Sequence, residues 1–120
     1  MERKLRFEIV HLAIDTLIGD SQTGGRRGKK ANRMLKLIEE HPRDVHFISE
    51  PAQQIDLSVP KNTQIILCGG AKESCVKVRQ QILNDAGYKN NRIRPALTYT
   101  RLDIFPNKRR YTHHPPRGVE

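Results

Sequence analysis

Acidic side chains stand where two predicted strands of the chain end. Asp15 follows an apolar run over 7–14, Asp20 comes shortly after it, and Glu50 follows the run 45–49. Ligands of an open parallel sheet collect beyond the carboxyl ends of its strands. We therefore predict Asp15, Asp20 and Glu50 as catalytic candidates, with Asp15 and Glu50 holding Mg²⁺ or Mn²⁺ for phosphodiester hydrolysis. The alternative is that these acids are ordinary loop residues or helix caps.

Basic residues gather in two clusters. The chain has 22 Lys and Arg against 13 Asp and Glu, a formal net charge of +9. Such an excess attracts polyanions, although a charge run is often only a solvated face. The first cluster comprises Arg26, Arg27, Lys29, Lys30, Arg33 and Lys36, and the second comprises Arg92, Arg94, Arg101, Lys108, Arg109, Arg110 and Arg117.

Aromatic residues lie among the basic residues of the second cluster. Tyr99, Phe105 and Tyr111 are the three concerned. Arginine beside aromatic rings suits single strands, where guanidinium groups pair with phosphates and bases stack on rings. We predict binding to nucleic acid, and to RNA rather than DNA.

A glycine pair precedes a predicted helix in the second half. Gly69-Gly70 would let the backbone approach a ligand, and Lys72 would add charge for a phosphate at the helix start. A tight turn between strand and helix is the alternative. The two cysteines, Cys68 and Cys75, flank this turn, and reduced thiols are favoured over a disulfide or half of a metal site.

The elements that must position these residues alternate between strand and helix. Nearly continuous apolar runs predict strands over 7–14, 45–49 and 64–68, with an irregular polar loop over 19–25 between the first two. Helical periodicity begins at about Arg26 and stops at His41-Pro42, and a second helix is predicted from Gly69 to Gly87. The segment 93–105 is predicted to be extended.

This alternation predicts an α/β fold, a three-layer Rossmann-like sandwich with a mostly parallel sheet. Residues 1–106 are predicted as a single domain and 107–120 as a basic tail. No apolar run reaches the length of a membrane span, and no export signal is read at the N-terminus. We therefore expect a soluble, cytoplasmic protein without a membrane partner.

The first half resembles the NYN/PIN-like nuclease superfamily. Leu12-Ala13-Ile14-Asp15, then Arg27-Gly28-Lys29-Lys30, then Arg43-Asp44-Val45-His46-Phe47-Ile48 follow the order of that family's opening βαβ unit over about residues 7–50. The first acid of such proteins helps bind the catalytic metal used to cleave RNA. The resemblance implies that role for Asp15.

The second half resembles the isochorismatase-like cysteine hydrolases. The stretch Cys68-Gly69-Gly70-Ala71-Lys72-Glu73-Ser74-Cys75-Val76, followed by Ala86-Gly87-Tyr88, matches that family's nucleophile turn and helix in spacing. The resemblance covers about residues 64–88 and implies Cys75 as the nucleophile with Asp15 as the acid. A thiolate at a helix start is chemically reasonable, because the helix end lowers its pKa.

Three hypotheses follow. The first is a nucleic-acid-binding domain, with or without metal-dependent ribonuclease activity. The second is a cysteine hydrolase acting on a small amide or ester through Cys75. The third is a non-catalytic subunit of a larger nucleoprotein assembly, whose basic tail becomes ordered when it docks on a protein partner.

Overall fold

Four parallel strands form the central sheet. The computed structural model describes residues 4–49 and 57–105. The strands are β1 (Leu5–Val10), β2 (Val45–Ile48), β3 (Gln64–Gly70) and β4 (Asn91–Tyr99), in the spatial order β2-β1-β3-β4. Strands β1 and β3 lie in the centre, which explains their nearly continuous apolar sequences.

Helices cover both faces of this sheet. They are α1 (Ile14–Ser21), α2 (Gly25–Glu40), α3 (Lys77–Asp85), which continues a π-helical segment (Lys72–Val76), and the short α4 (Arg101–Ile104). Leu17, Ala31 and Met34 of α1 and α2 pack on one face of the sheet. Val76 and Leu83 pack on the other. The predicted α/β class with a three-layer Rossmann-like arrangement is therefore confirmed.

The first loop prediction was wrong. Strand β1 ends at Val10 rather than Ile14, and α1 occupies residues that were predicted as strand and irregular loop. Leu17 is completely buried in the core, so tertiary packing stabilises this helix despite its glycine and polar residues. Gly28 lets α2 pack closely against the turn that follows α1, because a Cβ at this position would lie only 2.1 Å from the Thr23 carbonyl oxygen.

The segment predicted as extended over 93–105 ends in a helix. Strand β4 stops at Tyr99, and Thr100 caps α4 by accepting a hydrogen bond from the Asp103 amide, while the Asp103 side chain bonds the Thr100 amide. This reciprocal pair of hydrogen bonds is a capping box. The sequence Thr100-Arg101-Leu102-Asp103 matches its pattern, with Asp at the position where Glu or Gln is usual. Pro95 lies where the pairing of β4 with β3 shifts register.

Gly69 has a structural reason to be glycine. Its φ of +100° disfavours other residues, and a Cβ there would lie 2.3 Å from the Val10 carbonyl oxygen of β1. The glycine therefore permits close packing of β3 against β1.

Within the described ranges, no helix is both long and apolar enough to cross a membrane.

Candidate functional site

The carboxyl edge of the sheet is open between its first two strands. A cavity of about 390 Å³ lies there, lined by residues that include His11, Thr16 and Ser49. His11 directly follows β1 and has a φ of +61°, so the chain turns sharply before α1. This is the edge at which the sequence placed its acidic candidates.

Asp15 lies at this end of the molecule, but on α1. It is exposed and belongs to the first turn of that helix. A carboxylate in the first turn interacts favourably with the helix dipole. Asp15 is thus accessible to a ligand and also has an ordinary structural role.

Asp20 is engaged inside the protein. The Tyr99 hydroxyl donates a 2.8 Å hydrogen bond to Asp20 Oδ2, and Arg27 Nε lies 3.2 Å from the same oxygen. The Arg27 guanidinium also lies 5.4 Å from the centre of the Tyr99 ring. Burial and the Asp20 carboxylate both raise the pKa of Tyr99, so this phenol stays protonated as a donor.

The structure does not bring Asp15 and Asp20 together. Asp15 and Asp20 are five positions apart in α1, which places them about 140° apart around the helix axis. Asp15 is exposed, whereas Asp20 is buried. Glu50 lies outside the described residues. Over 4–49 and 57–105, no group of three His, Cys, Asp or Glu side chains is arranged to hold a metal ion. The predicted metal pair of Asp15 and Glu50 includes a residue outside these ranges, so it stays a prediction.

Three members of the first basic cluster pair with buried acids. Lys30 is buried and donates a 2.6 Å hydrogen bond to Asp103 Oδ2, and Arg26 Nε lies 3.2 Å from Asp103 Oδ1. Arg27 pairs with Asp20, as described above. These contacts reduce the charge that the three residues offer to a ligand, although the Arg26 side chain remains 63% exposed.

The other cations of α2 form an exposed row. Lys29, Arg33 and Lys36 are all exposed and recur at the i, i+4, i+7 spacing of one helix face. Among the described residues, none of the three has an acidic partner within ion-pair distance. The row from Lys29 to Lys36 is about 10 Å long, given the helical rise per residue.

This row adjoins the edge strand β4. Arg33 donates a long hydrogen bond of 3.5 Å to the Ala96 carbonyl oxygen. Arg26 reaches Asp103 beyond the end of β4, so α2 and β4 run in opposite directions along this edge. Lys36 therefore lies toward the beginning of β4.

Two exposed arginines of β4 extend the row. Arg92 and Arg94 flank Ile93, which packs in the core on the α3 side, so alternation directs both arginines to the α2 side. The positive charge of Arg94 acts on the Cys68 thiol, which belongs to the core on that side. We call Lys29, Arg33, Lys36, Arg92 and Arg94 the cationic surface.

The remaining sequence candidates lie elsewhere. Lys72 is half-buried at the start of the π-helical segment, and the structure gives it no bonded partner among the described residues. Tyr99 was predicted to stack on bases, but its side chain is only 1% exposed and packs in the hydrophobic core. Phe105 is exposed, whereas Tyr111, Lys108, Arg109 and Arg110 lie outside the described residues.

The two cysteines differ in environment. Cys68 is fully buried, and burial raises the pKa of its thiol to about 12. Cys75 is half-buried in the π-helical segment, with its Sγ 4.0 Å from the Ser74 hydroxyl. No imidazole or carboxylate of the described residues hydrogen-bonds Cys75, whose role as a nucleophile stays a prediction.

Sequence reasoning missed the acid that organises the basic cluster. The Asp103 carboxylate forms ion pairs with both Lys30 and Arg26, yet Asp103 is 73 residues from Lys30 in the chain. A local signal existed in the capping box, which places Asp103 at the start of a helix.

Comparison of the chain with known protein families, curated proteins and solved structures gives no significant match.

Proposed function

We propose that this chain binds nucleic acid, with RNA as the preferred ligand, through the cationic surface. The observation that carries the proposal is the row Lys29, Arg33 and Lys36, exposed along α2 and without acidic partners among the described residues. Repeated cations along one direction can follow a phosphate backbone.

The contrast with neighbouring cations supports this reading. Arg26, Arg27 and Lys30 belong to the same sequence cluster but pair with Asp20 or Asp103. A cation already paired with a buried carboxylate has less to gain from a phosphate than an unpaired one. The phosphate contacts are therefore assigned to the unpaired members and to the two β4 arginines.

Contacts of this kind need no catalytic group. The proposal holds equally for a free RNA-binding domain and for a non-catalytic subunit of a nucleoprotein assembly. Cleavage with Mg²⁺ or Mn²⁺ through Asp15 stays a separate prediction, and so does hydrolysis through Cys75.

The test is RNA binding by a charge-matched pair of double variants. Lys29→Gln/Lys36→Gln removes two charges from the cationic surface, and Lys77→Gln/Lys89→Gln removes two exposed charges on or just after α3. Fluorescence anisotropy with a labelled single-stranded RNA gives the affinity over a series of salt concentrations. The first variant should lower the slope of log affinity against log salt by about 1.4, as the loss of two single-strand phosphate contacts requires.

The control variant should keep the wild-type slope. Equal losses in both variants would mean that the RNA responds to overall charge rather than to this surface. A wild-type affinity that does not change with salt would rule out phosphate contact altogether.

A further inference from the structure

A cavity with a cationic lining lies at the amino end of the sheet, where β1 and β2 begin. Its volume is about 220 Å³, and its lining includes Lys4 and Arg6 at the start of β1 and Arg43 and His46 around the start of β2. Since the sheet order is β2-β1-β3-β4, strand β3 lies between the β1 and β2 residues of this cavity and the cationic surface on β4. A water molecule occupies about 30 Å³ in the liquid, so the cavity has room for a tetrahedral oxyanion.

The groups beneath this cavity carry an excess of positive charge. Glu8 is completely buried, and Arg79 Nε donates a 2.7 Å hydrogen bond to its Oε1. Arg6 Nε lies 3.0 Å from Glu8 Oε2. Two guanidinium groups thus share one carboxylate, which leaves a net positive charge in a poorly solvated place.

Further cations stand at the rim. Lys4 and Arg43 are exposed, and neither side chain has an ion-pair partner among the described residues. Asp44 is the acid in the lining, and its Oδ2 lies 3.6 Å from His41 Nδ1. The cations of the lining therefore outnumber its acid.

The wall of the cavity contains a buried hydroxyl without a partner. Thr63 is 1% exposed, and its Oγ1 makes no hydrogen bond within the part of the chain that the structure describes. A buried polar group left unpaired costs about 1–3 kcal/mol. Because Thr63 lines the cavity, a small movement of its side chain on ligand binding would bring this hydroxyl to a ligand oxygen, the acceptor that it lacks.

We propose that this cavity binds a phosphate group, either as free inorganic phosphate or as a terminal phosphomonoester on RNA. Arg43 and Lys4 contact the anion from the rim, Arg6 supplies charge from the wall, and the Thr63 hydroxyl donates to one phosphate oxygen. Binding of inorganic phosphate here does not depend on the cationic surface, because the two sites share no residue.

The experiment is calorimetric titration of the full chain with sodium phosphate, in the wild type and three variants. Arg43→Gln removes an exposed charge and should weaken phosphate binding about tenfold, the effect of one lost charge-assisted hydrogen bond. Thr63→Val should weaken it several-fold without lowering the thermal stability, because no protein hydrogen bond is lost. Lys89→Gln, an exposed charge change after α3, is the matched control and should bind phosphate like the wild type.

A second arm identifies the source of the phosphate. An RNA with a 5′-phosphate and the same RNA with a 5′-hydroxyl are compared by anisotropy, in the wild type and in Arg43→Gln. Tighter binding of the phosphorylated RNA that disappears in Arg43→Gln assigns the cavity to RNA ends. Equal binding of the two RNAs, together with calorimetric phosphate binding that Arg43→Gln weakens, assigns it to free phosphate.

Absence of phosphate binding in both arms, or an unchanged affinity in Arg43→Gln, would overturn the proposal. Its failure can be told from failure of the RNA-binding proposal, since Lys29→Gln/Lys36→Gln should leave the calorimetric binding of inorganic phosphate unchanged.

Discussion

Lys30 Nζ donates a 2.6 Å hydrogen bond to Asp103 Oδ2, and this buried ion pair ties α2 to the helical turn that follows the last strand. The carboxylate also accepts from the Thr100 amide and lies beside Arg26. One acid thus joins two helices and removes a lysine from the surface. Some cations of the first basic cluster therefore stabilise the fold by pairing with a buried acid, whereas the others stay exposed and available to a ligand.

The first prediction concerns the stability that Asp103 provides. Asp103→Asn leaves Lys30 buried without its carboxylate, so we expect the free energy of unfolding to fall by roughly 3 kcal/mol. Urea unfolding followed by circular dichroism measures it. Lys29→Gln, next to Lys30 but exposed, should change stability by less than about 0.5 kcal/mol. Equal effects of the two substitutions would contradict a structural role for the ion pair.

The same carboxyl group should make stability depend on acid pH. Burial disfavours ionisation of Asp103, but the bonds from Lys30 and Thr100 outweigh it and hold its pKa below the ordinary 3.8. The unfolded chain therefore binds the proton first as pH falls, and the stability from Asp103 is present above pH 3.8 and lost as the pH falls through the folded-state pKa. Asp103→Asn should flatten the stability profile in this acidic range.

The sequence predicted the sheet better than the site. Continuous apolar runs identify β1 and β3, and helical periodicity identifies α2, because burial imposes those patterns locally. Helix α1 was missed, since its stability depends on Leu17 packing in a core that distant segments build. Pairs such as Tyr99 with Asp20, 79 residues apart, leave no local pattern at all.

The second prediction separates two neighbouring cations of α2. Arg27→Gln removes the ion pair with Asp20 and the contact with the Tyr99 ring, so stability should fall by about 1 kcal/mol. Lys29→Gln should leave stability unchanged but weaken RNA binding more than Arg27→Gln does. Urea unfolding and anisotropy on both variants give the two readouts. The assignment of roles would be wrong if Arg27→Gln weakened RNA binding more strongly than Lys29→Gln.

The third prediction tests metal-dependent cleavage through Asp15. The nuclease hypothesis expects RNA cleavage with Mg²⁺ or Mn²⁺ that is lost in Asp15→Asn while RNA affinity is retained, because Asp15 is not part of the cationic surface. Gel assays of cleavage and anisotropy in the same buffer separate the two effects. Ser21→Ala, at the carboxyl end of α1, is the control that should leave cleavage intact. Cleavage that persists in Asp15→Asn would exclude a catalytic role for this acid.

The fourth prediction uses the two cysteines as an internal comparison. Iodoacetamide near neutral pH should label Cys75 and leave Cys68 unmodified, because Cys68 is buried and burial raises its pKa to about 12. Mass spectrometry of the digested protein reads both sites at once. Labelling of Cys75 faster than that of free cysteine would favour the cysteine-hydrolase hypothesis, whereas an unreactive Cys75 would exclude it.

The fifth prediction concerns the titration of His46 beside the phosphate cavity. Partial desolvation and the positive charges of Arg6 and Arg79 lower the pKa of His46 from its ordinary 6.5, although the nearby Glu8 acts in the opposite direction. Between the folded-state pKa and 6.5, the unfolded chain binds more protons than the folded one, so stability should rise with pH over that interval. His46→Gln should remove this part of the pH dependence.

Two-dimensional NMR of the imidazole resonances measures this pKa directly and separates His46 from the other histidines. Phosphate in the adjacent cavity would place an anion near the ring and favour its charged form, so saturating phosphate should raise the pKa of His46. Arg43→Gln should reduce that response, because it weakens phosphate binding. A His46 pKa at or above 6.5 without phosphate would show that the cavity is not the cationic environment described above.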